Sequence, residues 1–224
     1  MTQTRSPITE PGSRLLKRDL FGEVRLESAE TGLVSRRDTT RARWWTRAVA
    51  RWLAAREARA LQAAAGIEGI PRVIDWDGHV LDREWLDGEP MQVGKPTDTA
   101  YYAEALHLVR RLHRAGVVHN DTAKEPNWLV RPDGRPALID FQVALVSHRR
   151  GPLFRLLGRE DLRHLLKHKR SYAPQALTAR QRRILATPAW TSRWWHASGK
   201  RVYLWFTRRV LGWADREGAG DRQG

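Results

Sequence analysis

Between residues 116 and 143 the chain reads GVVHNDTAKEPNWLVRPDGRPALIDFQV, and the residue types in this stretch suit phosphotransfer. An apolar run ends in His119-Asn120-Asp121, a polar loop carries Lys124 and Asn127, and two short β-type runs follow, at 128–130 and 137–139. Between the runs lies Arg131-Pro132-Asp133-Gly134, where proline presets one turn dihedral and glycine tolerates positive φ. A tight hairpin is predicted, with Asn127 just before its first strand and Asp140 just after its second. Two oxygen ligands 13 positions apart in sequence then meet at one end. Magnesium suits such a pair, because this hard cation is usually held by one or two carboxylates plus substrate phosphates.

Several upstream elements must position that stretch. A helix from about Asp98 to Arg114 puts Tyr102, Leu106, Val109 and Leu112 on one face, ends at Gly116 and delivers the chain into the polar loop. Leu15-Leu16, 23–27 and 32–36 read as three short strands, and 72–76 with 79–83 as a hairpin around Asp77-Gly78. The segment from about Arg41 to Ala65 has a helical apolar period closed by Gly66, and Val49, Leu53, Glu57 and Leu61 are spaced by four. Glu57 thus lies on the apolar stripe, where an unpaired carboxylate is expensive to bury. A cation on the adjacent sheet is the expected partner. A pairing with Arg56 or Arg59 on its own helix is the simpler alternative.

The order His-x-Asp, Asn, then Asp-Phe resembles the catalytic loop and metal-binding motif of protein-kinase-like enzymes, closest to the small bacterial RIO-like and lipopolysaccharide-core kinases. The resemblance implies an α+β, two-lobed fold with a reduced N-terminal sheet lobe and a mainly helical C-terminal lobe. It implies that Asp121 accepts the proton of a substrate hydroxyl, that Lys124 steadies the transferred group, and that Asn127 and Asp140 hold Mg2+ on ATP. Arg36 stands where the family places its phosphate-binding lysine, with Arg37 next in line; strand alternation sends one of the two inward to Glu57. Gly22 marks the loop over the phosphates, although no G-x-G-x-x-G is present. The stretch Glu84-Trp85-Leu86-Asp87-Gly88 resembles the hinge that holds adenine through its backbone, with Glu84 and Leu86 as contact positions. Asp161 resembles the aspartate that supports the catalytic loop from below; an acidic residue near a helix N-terminus explains it too. Three departures stand out: Asn127 lies six positions after Asp121 rather than five, Gln142 replaces the glycine of Asp-Phe-Gly, and Asn120 replaces an arginine.

The chain carries 40 Lys or Arg against 25 Asp or Glu, a net charge of +15, and no cysteine. Disulfides and thiolate metal sites are thereby excluded. From Arg149 to Trp213 there are sixteen Lys or Arg against Glu160 and Asp161 alone, so nearly all of the excess sits in the last third. That third is expected to face an anionic partner, unless it is simply a solvated basic face. Trp190, Trp194, Trp195, Trp205 and Trp213 lie among these cations, a composition suited to peripheral contact with an anionic membrane or to packing a final helix. The opening residues lack an apolar signal core, so a cytoplasmic protein is the default expectation.

The expected organisation is a disordered lead (1–13), an N-terminal lobe (14–88, hinge at 84–88), a C-terminal lobe (89–213) and a disordered tail (214–224). ATP and magnesium would lie between the lobes. The acceptor would be a protein Ser/Thr or a sugar hydroxyl of a phosphorylated glycolipid. A pseudokinase that binds without turnover is the first alternative. A basic nucleic-acid-binding protein is the second and weaker one, since it explains the charge but not Asp121, Asn127 and Asp140 together.

Overall fold

The computed structural model describes residues 13–29 and 32–186. The chain divides into two compact units, residues 1–178 and 179–224. In the second, the described residues form the helix Ala179–Ala186. The lead 1–13 (save Ser13) and the tail 214–224, both expected to be disordered, and the tryptophan-rich stretch 190–213 lie outside the described residues.

The first unit opens with an antiparallel sheet. Its strands are β1 (Arg14–Asp19), β2 (Gly22–Ala29), β3 (Gly32–Asp38), β4 (Val73–Trp76) and β5 (Val80–Glu84), in the order β1-β2-β3-β5-β4. Between β3 and β4 runs α1 (Arg47–Ala63). Its inward face is Ala50, Ala54, Glu57, Ala58 and Leu61, all buried. Val49, expected on that stripe, is exposed instead: small alanines let the helix lie close to the sheet and rotate the stripe by one residue. The helix begins later than its composition predicts because residues 39–41 form a 3-10 turn and the Thr46 hydroxyl bonds the Leu20 and Arg43 carbonyls rather than capping α1.

The linker 85–88 leads into β6 (Glu89–Pro90), the short α2 (Met91–Gly94) and α3 (Thr99–Arg114). Asp98 caps α3 by accepting the Ala100 N–H at 2.8 Å, and Arg111, His113 and Arg114 complement the dipole of its last turn. The chain then forms β7 (Val117–Val118), a 3-10 turn (Glu125–Asn127), and the hairpin β8 (Trp128–Val130) and β9 (Pro136–Leu138). The predicted turn closes that hairpin, with Gly134 N–H donating to the Arg131 carbonyl at 2.8 Å. Next come β10 (Leu145–Val146), paired with β7, and α4 (Pro152–Tyr172). Helix α4 starts at Pro152 rather than near Arg159, since proline at the first helical position loses no intrahelical bond. Asp161 is therefore mid-helix, which removes the dipole explanation for it. The C-terminal lobe closes over Met91, Leu112, Val117, Trp128, Leu138, Phe141 and Leu165, all essentially without solvent contact. Gly158 brings α4 onto α3, for a Cβ there would lie 3.2 Å from the His113 ring.

Candidate active site

The loop between β7 and β8 is held from below by α4. Asp161, 1% exposed, accepts the His119 and Asn120 N–H groups at 2.9 Å each, the Thr122 hydroxyl at 3.1 Å and His113 Nε2 at 3.2 Å. Seven positions on, and so on the same helix face, His168 Nε2 donates to the Thr122 carbonyl at 2.9 Å, which also accepts Trp128 Nε1 at 3.0 Å. Tyr172 then donates to Glu125 at 2.7 Å. His119 is fully buried; burial lowers its pKa against the opposing pull of Asp161 and the Ile139 carbonyl, so the ring is neutral. Its Nε2 bonds Ile139 O at 3.0 Å, leaving Nδ1 to accept the Asp121 N–H at 3.3 Å, and the ring meets Phe141 edge-on at 4.5 Å. Asn120 adopts φ 63, a left-handed conformation that asparagine tolerates far better than arginine, which accounts for its place here.

Asp121, Lys124 and Asn127 converge on one point. Asn127 Nδ2 donates to both the Asp121 carbonyl and Asp121 Oδ2 at 3.0 Å, and Lys124 Nζ lies 2.8 Å from the same Oδ2. The six-residue spacing is absorbed by the 3-10 turn Glu125–Asn127, in which Asn127 N–H donates to the Lys124 carbonyl at 3.2 Å. Asp140 follows the hairpin at φ 66, and Ile139 N–H bonds Asn127 O at 2.9 Å, which ties the two hairpin ends together. Burial raises the pKa of Asp140, but Arg37 and Arg83, with the Gln142 amide and Lys124, outweigh it and hold the carboxyl below its usual range. Gln142 Nε2 donates to Asp140 Oδ1 at 2.7 Å, so the residue in the glycine's place orients the carboxylate.

The other half of the site is on the sheet and α1. Antiparallel register places Arg37 opposite Leu81 and Ser35 opposite Arg83 on one face, and Arg36 opposite Asp82 on the other. Arg36 therefore points away from Glu57, forms a two-pronged bond to Asp82 (2.8 and 2.7 Å) and reaches Glu27 at 2.7 Å. The expected Arg36–Glu57 pair is replaced by two arginines: Arg37 Nε lies 3.4 Å from Glu57 Oε2, and Arg83 Nη1 bonds Glu57 Oε1. Glu57 is fully buried, so a second cation offsets the desolvation that one alone would leave. Burial lowers the Arg83 guanidinium to about 10, still well above neutrality, and Asp140 opposes the shift. Arg83 was not anticipated. The alternation of β5 carries its signature, since Arg83 lies two residues beyond the buried Leu81.

Two further positions have local structural reasons. Gly22 sits at φ 121 with Asp38 O only 2.2 Å from where a Cβ would be, so no other residue fits the β1–β2 turn. Leu20 O accepts the Arg43 N–H at 3.3 Å and the Thr46 hydroxyl, tying this turn to the approach to α1, and the charge of Asp19 acts on Arg37. At the linker, Arg72 engages Glu84 through both side chain (3.0 Å) and backbone (2.9 Å), Trp85 N–H bonds Leu33 O at 3.0 Å, and Leu86 follows in a stretch without regular secondary structure.

A five-stranded antiparallel sheet with one long helix, a short linker, and a helical lobe carrying the His-x-Asp loop and hairpin define the protein-kinase-like fold. Residues 26–181 match the family model described as the RIO domain. The chain belongs to that family, a branch of the kinase-like superfamily of ATP-dependent phosphotransferases. Among the described residues no helix is long and apolar enough to cross a membrane.

Proposed function

We propose that this chain transfers the γ-phosphoryl group of ATP to a hydroxyl. The observation that carries this reading is the convergence of Lys124 and Asn127 on Asp121 Oδ2, in a loop fixed by Asp161. Asp121 is the group that accepts the hydroxyl proton, and Asn127 sets its orientation through the two Nδ2 bonds. Those bonds turn the amide oxygen of Asn127 away from Asp121, and Asp140 is ionised and oriented by Gln142. This set of hard oxygens fits magnesium, and Asn127 and Asp140 would hold it. Bound there, the ion supplies charge neutralisation for phosphate oxygens. Arg37, aligned by Glu57 and near Asp140, takes the phosphate-binding role first assigned to Arg36. Lys124 adds positive charge beside the attacking oxygen. Glu84 and Leu86 remain the expected adenine-edge positions, and Gly22 the turn nearest the phosphates.

The acceptor class is a protein Ser/Thr or a sugar hydroxyl; the basic last third favours an acceptor that is already phosphorylated and membrane-associated. A second reading, nucleotide binding without turnover, is favoured by the Gln142 hold on Asp140 and by arginine in the lysine's place. Phosphate transfer or release from ATP with magnesium, compared between wild type and Asp121→Ala at matched nucleotide affinity, separates the two. Transfer by wild type and a loss of at least about a hundredfold in the variant are expected. Binding by both with turnover by neither, even with cell extract as acceptor, would overturn the phosphotransfer reading.

A further inference from the structure

The outer face of α1 and the turn before it carry exposed apolar surface that phosphotransfer does not use. Trp44 is 84% exposed, Trp52 53%, Val49 48% and Trp45 44%. Trp45 lies in the turn before α1, and Val49 and Trp52 stand three positions apart on the helix itself, with the exposed Ala48 beside Val49. The buried face of the same helix holds Glu57. From Thr39 to Arg56 the chain has Arg41, Arg43, Arg47, Arg51 and Arg56 and no Asp or Glu. Among the described residues Arg41 is the one of these five that meets a carboxylate, Asp38 at 3.6 Å. Arg51 bonds the Gly78 carbonyl at 3.3 Å, and Arg56 stacks over Trp52 at 4.6 Å.

We propose that this face docks on an anionic lipid bilayer. Indole rings combine an apolar body with one N–H and sit well at the headgroup level, while arginines meet anionic headgroups. Ala48 and Val49 add aliphatic surface that gains from burial in a bilayer and little from contact with a nucleic acid. A second copy of this face would bring like charges together. The chain's own residues 187–209 would do the same, for Arg193, Lys200, Arg201, Arg208 and Arg209 face no acidic residue in that segment. The proposal stands apart from the phosphotransfer reading, because every residue it uses lies outside the loop and hairpin.

Sedimentation of the full chain with vesicles tests it, using phosphatidylcholine alone and phosphatidylcholine with about one third phosphatidylserine. Wild type is expected to pellet with the anionic vesicles only, and less at high salt. The Trp44→Ala/Trp45→Ala double variant, which leaves the Trp52–Arg56 contact intact, should bind them about tenfold more weakly at an unchanged Tm. An Arg47→Glu/Arg51→Glu variant should lose as much, while Trp205→Ala/Trp213→Ala should not. Equal pelleting of wild type and the tryptophan double variant overturns the proposal. So does equal binding to neutral vesicles, or loss of single-stranded RNA binding in the double variant with vesicle binding untouched.

Discussion

Replacing Asp161 by alanine removes the acceptor beneath the loop between β7 and β8. Its carboxylate gathers two backbone N–H groups at 2.9 Å, the Thr122 hydroxyl at 3.1 Å and His113 Nε2 at 3.2 Å. His119 and Thr122 are fully buried, so their donors would find no solvent in an unrelaxed structure. Each stranded donor costs about 1–3 kcal/mol, and bonds to a charged acceptor run to about 1.5–3 kcal/mol. Two backbone donors and one hydroxyl then sum to several kcal/mol. The Thr122 hydroxyl keeps the Asp161 main-chain carbonyl at 3.3 Å, and a water entering the vacated space would restore part of the rest. The expected loss is about 3–5 kcal/mol, read from urea unfolding at unchanged m. Asp161→Asn keeps the shape but turns one oxygen into a donor facing a donor, and should lose about 2–4 kcal/mol. Arg159→Ala, exposed on the same helix, is the control and should stay within about 0.5 kcal/mol. An Asp161→Ala protein within about 1 kcal/mol of wild type would refute the view that α4 holds the loop through this carboxylate.

Arg37→Ala should weaken nucleotide binding by at least about thirtyfold, in line with about 2–5 kcal/mol for truncating one partner of a buried charge pair. Arg36→Ala removes part-buried ion pairs to Asp82 and Glu27 on the opposite face and should leave nucleotide affinity within about threefold while costing about 1–3 kcal/mol of stability, because the buried Asp82 loses its partner; isothermal titration with an ATP analogue distinguishes them. Burial lowers the pKa of His119, His164 and His168 in the folded chain, that of His164 to about 4. Rings with a lowered folded pKa take up protons more readily when unfolded, so below about pH 6.5 stability falls as pH drops, and for His164 that fall runs down to about pH 4. Each contributes a slope of at most about 1.4 kcal/mol per pH unit. Asp140 adds to the loss below its ordinary range, since its folded pKa is depressed. Urea midpoints that stay flat between about pH 6.5 and 4.5 would contradict this coupling.

The elements with a strong local signal were legible in the sequence. Asp98, the apolar period and Gly116 bound α3, and Pro132 with Gly134 sets the hairpin that aligns Asn127 and Asp140. The placement of Arg36 was not legible. Strand alternation says that one of two adjacent arginines faces inward, but choosing between them needs the register of β3 against β5, which is a long-range property. Arg83 was hidden for the same reason, since its value lies in sharing a face with Arg37 across the sheet. The inward stripe of α1 was misplaced because valine outweighs alanine on any hydrophobic scale, whereas close packing against the sheet favours the smaller side chain. The loop insertion between Asp121 and Asn127 counted as a departure, yet a single 3-10 turn absorbs it and keeps both bonds.

Arg56 joins the two lobes at a second place besides the linker. Its Nη2 donates to the carbonyls of Val143 (3.1 Å) and Ala144 (2.8 Å), three and four residues after Asp140, while the linker itself is confined between Trp85, bonded to Leu33, and Glu89, paired with Val130. A linker of three residues and a latch of two hydrogen bonds together make the join between the lobes a clasp. To open it, α1 must either release those carbonyls or drag β10 along, and β10 is stitched to β7, directly upstream of His119. On the phosphotransfer reading, nucleotide entry and exit would be geared to the strand that leads into the His119–Asp121 loop, so that opening the clasp would tug on that loop.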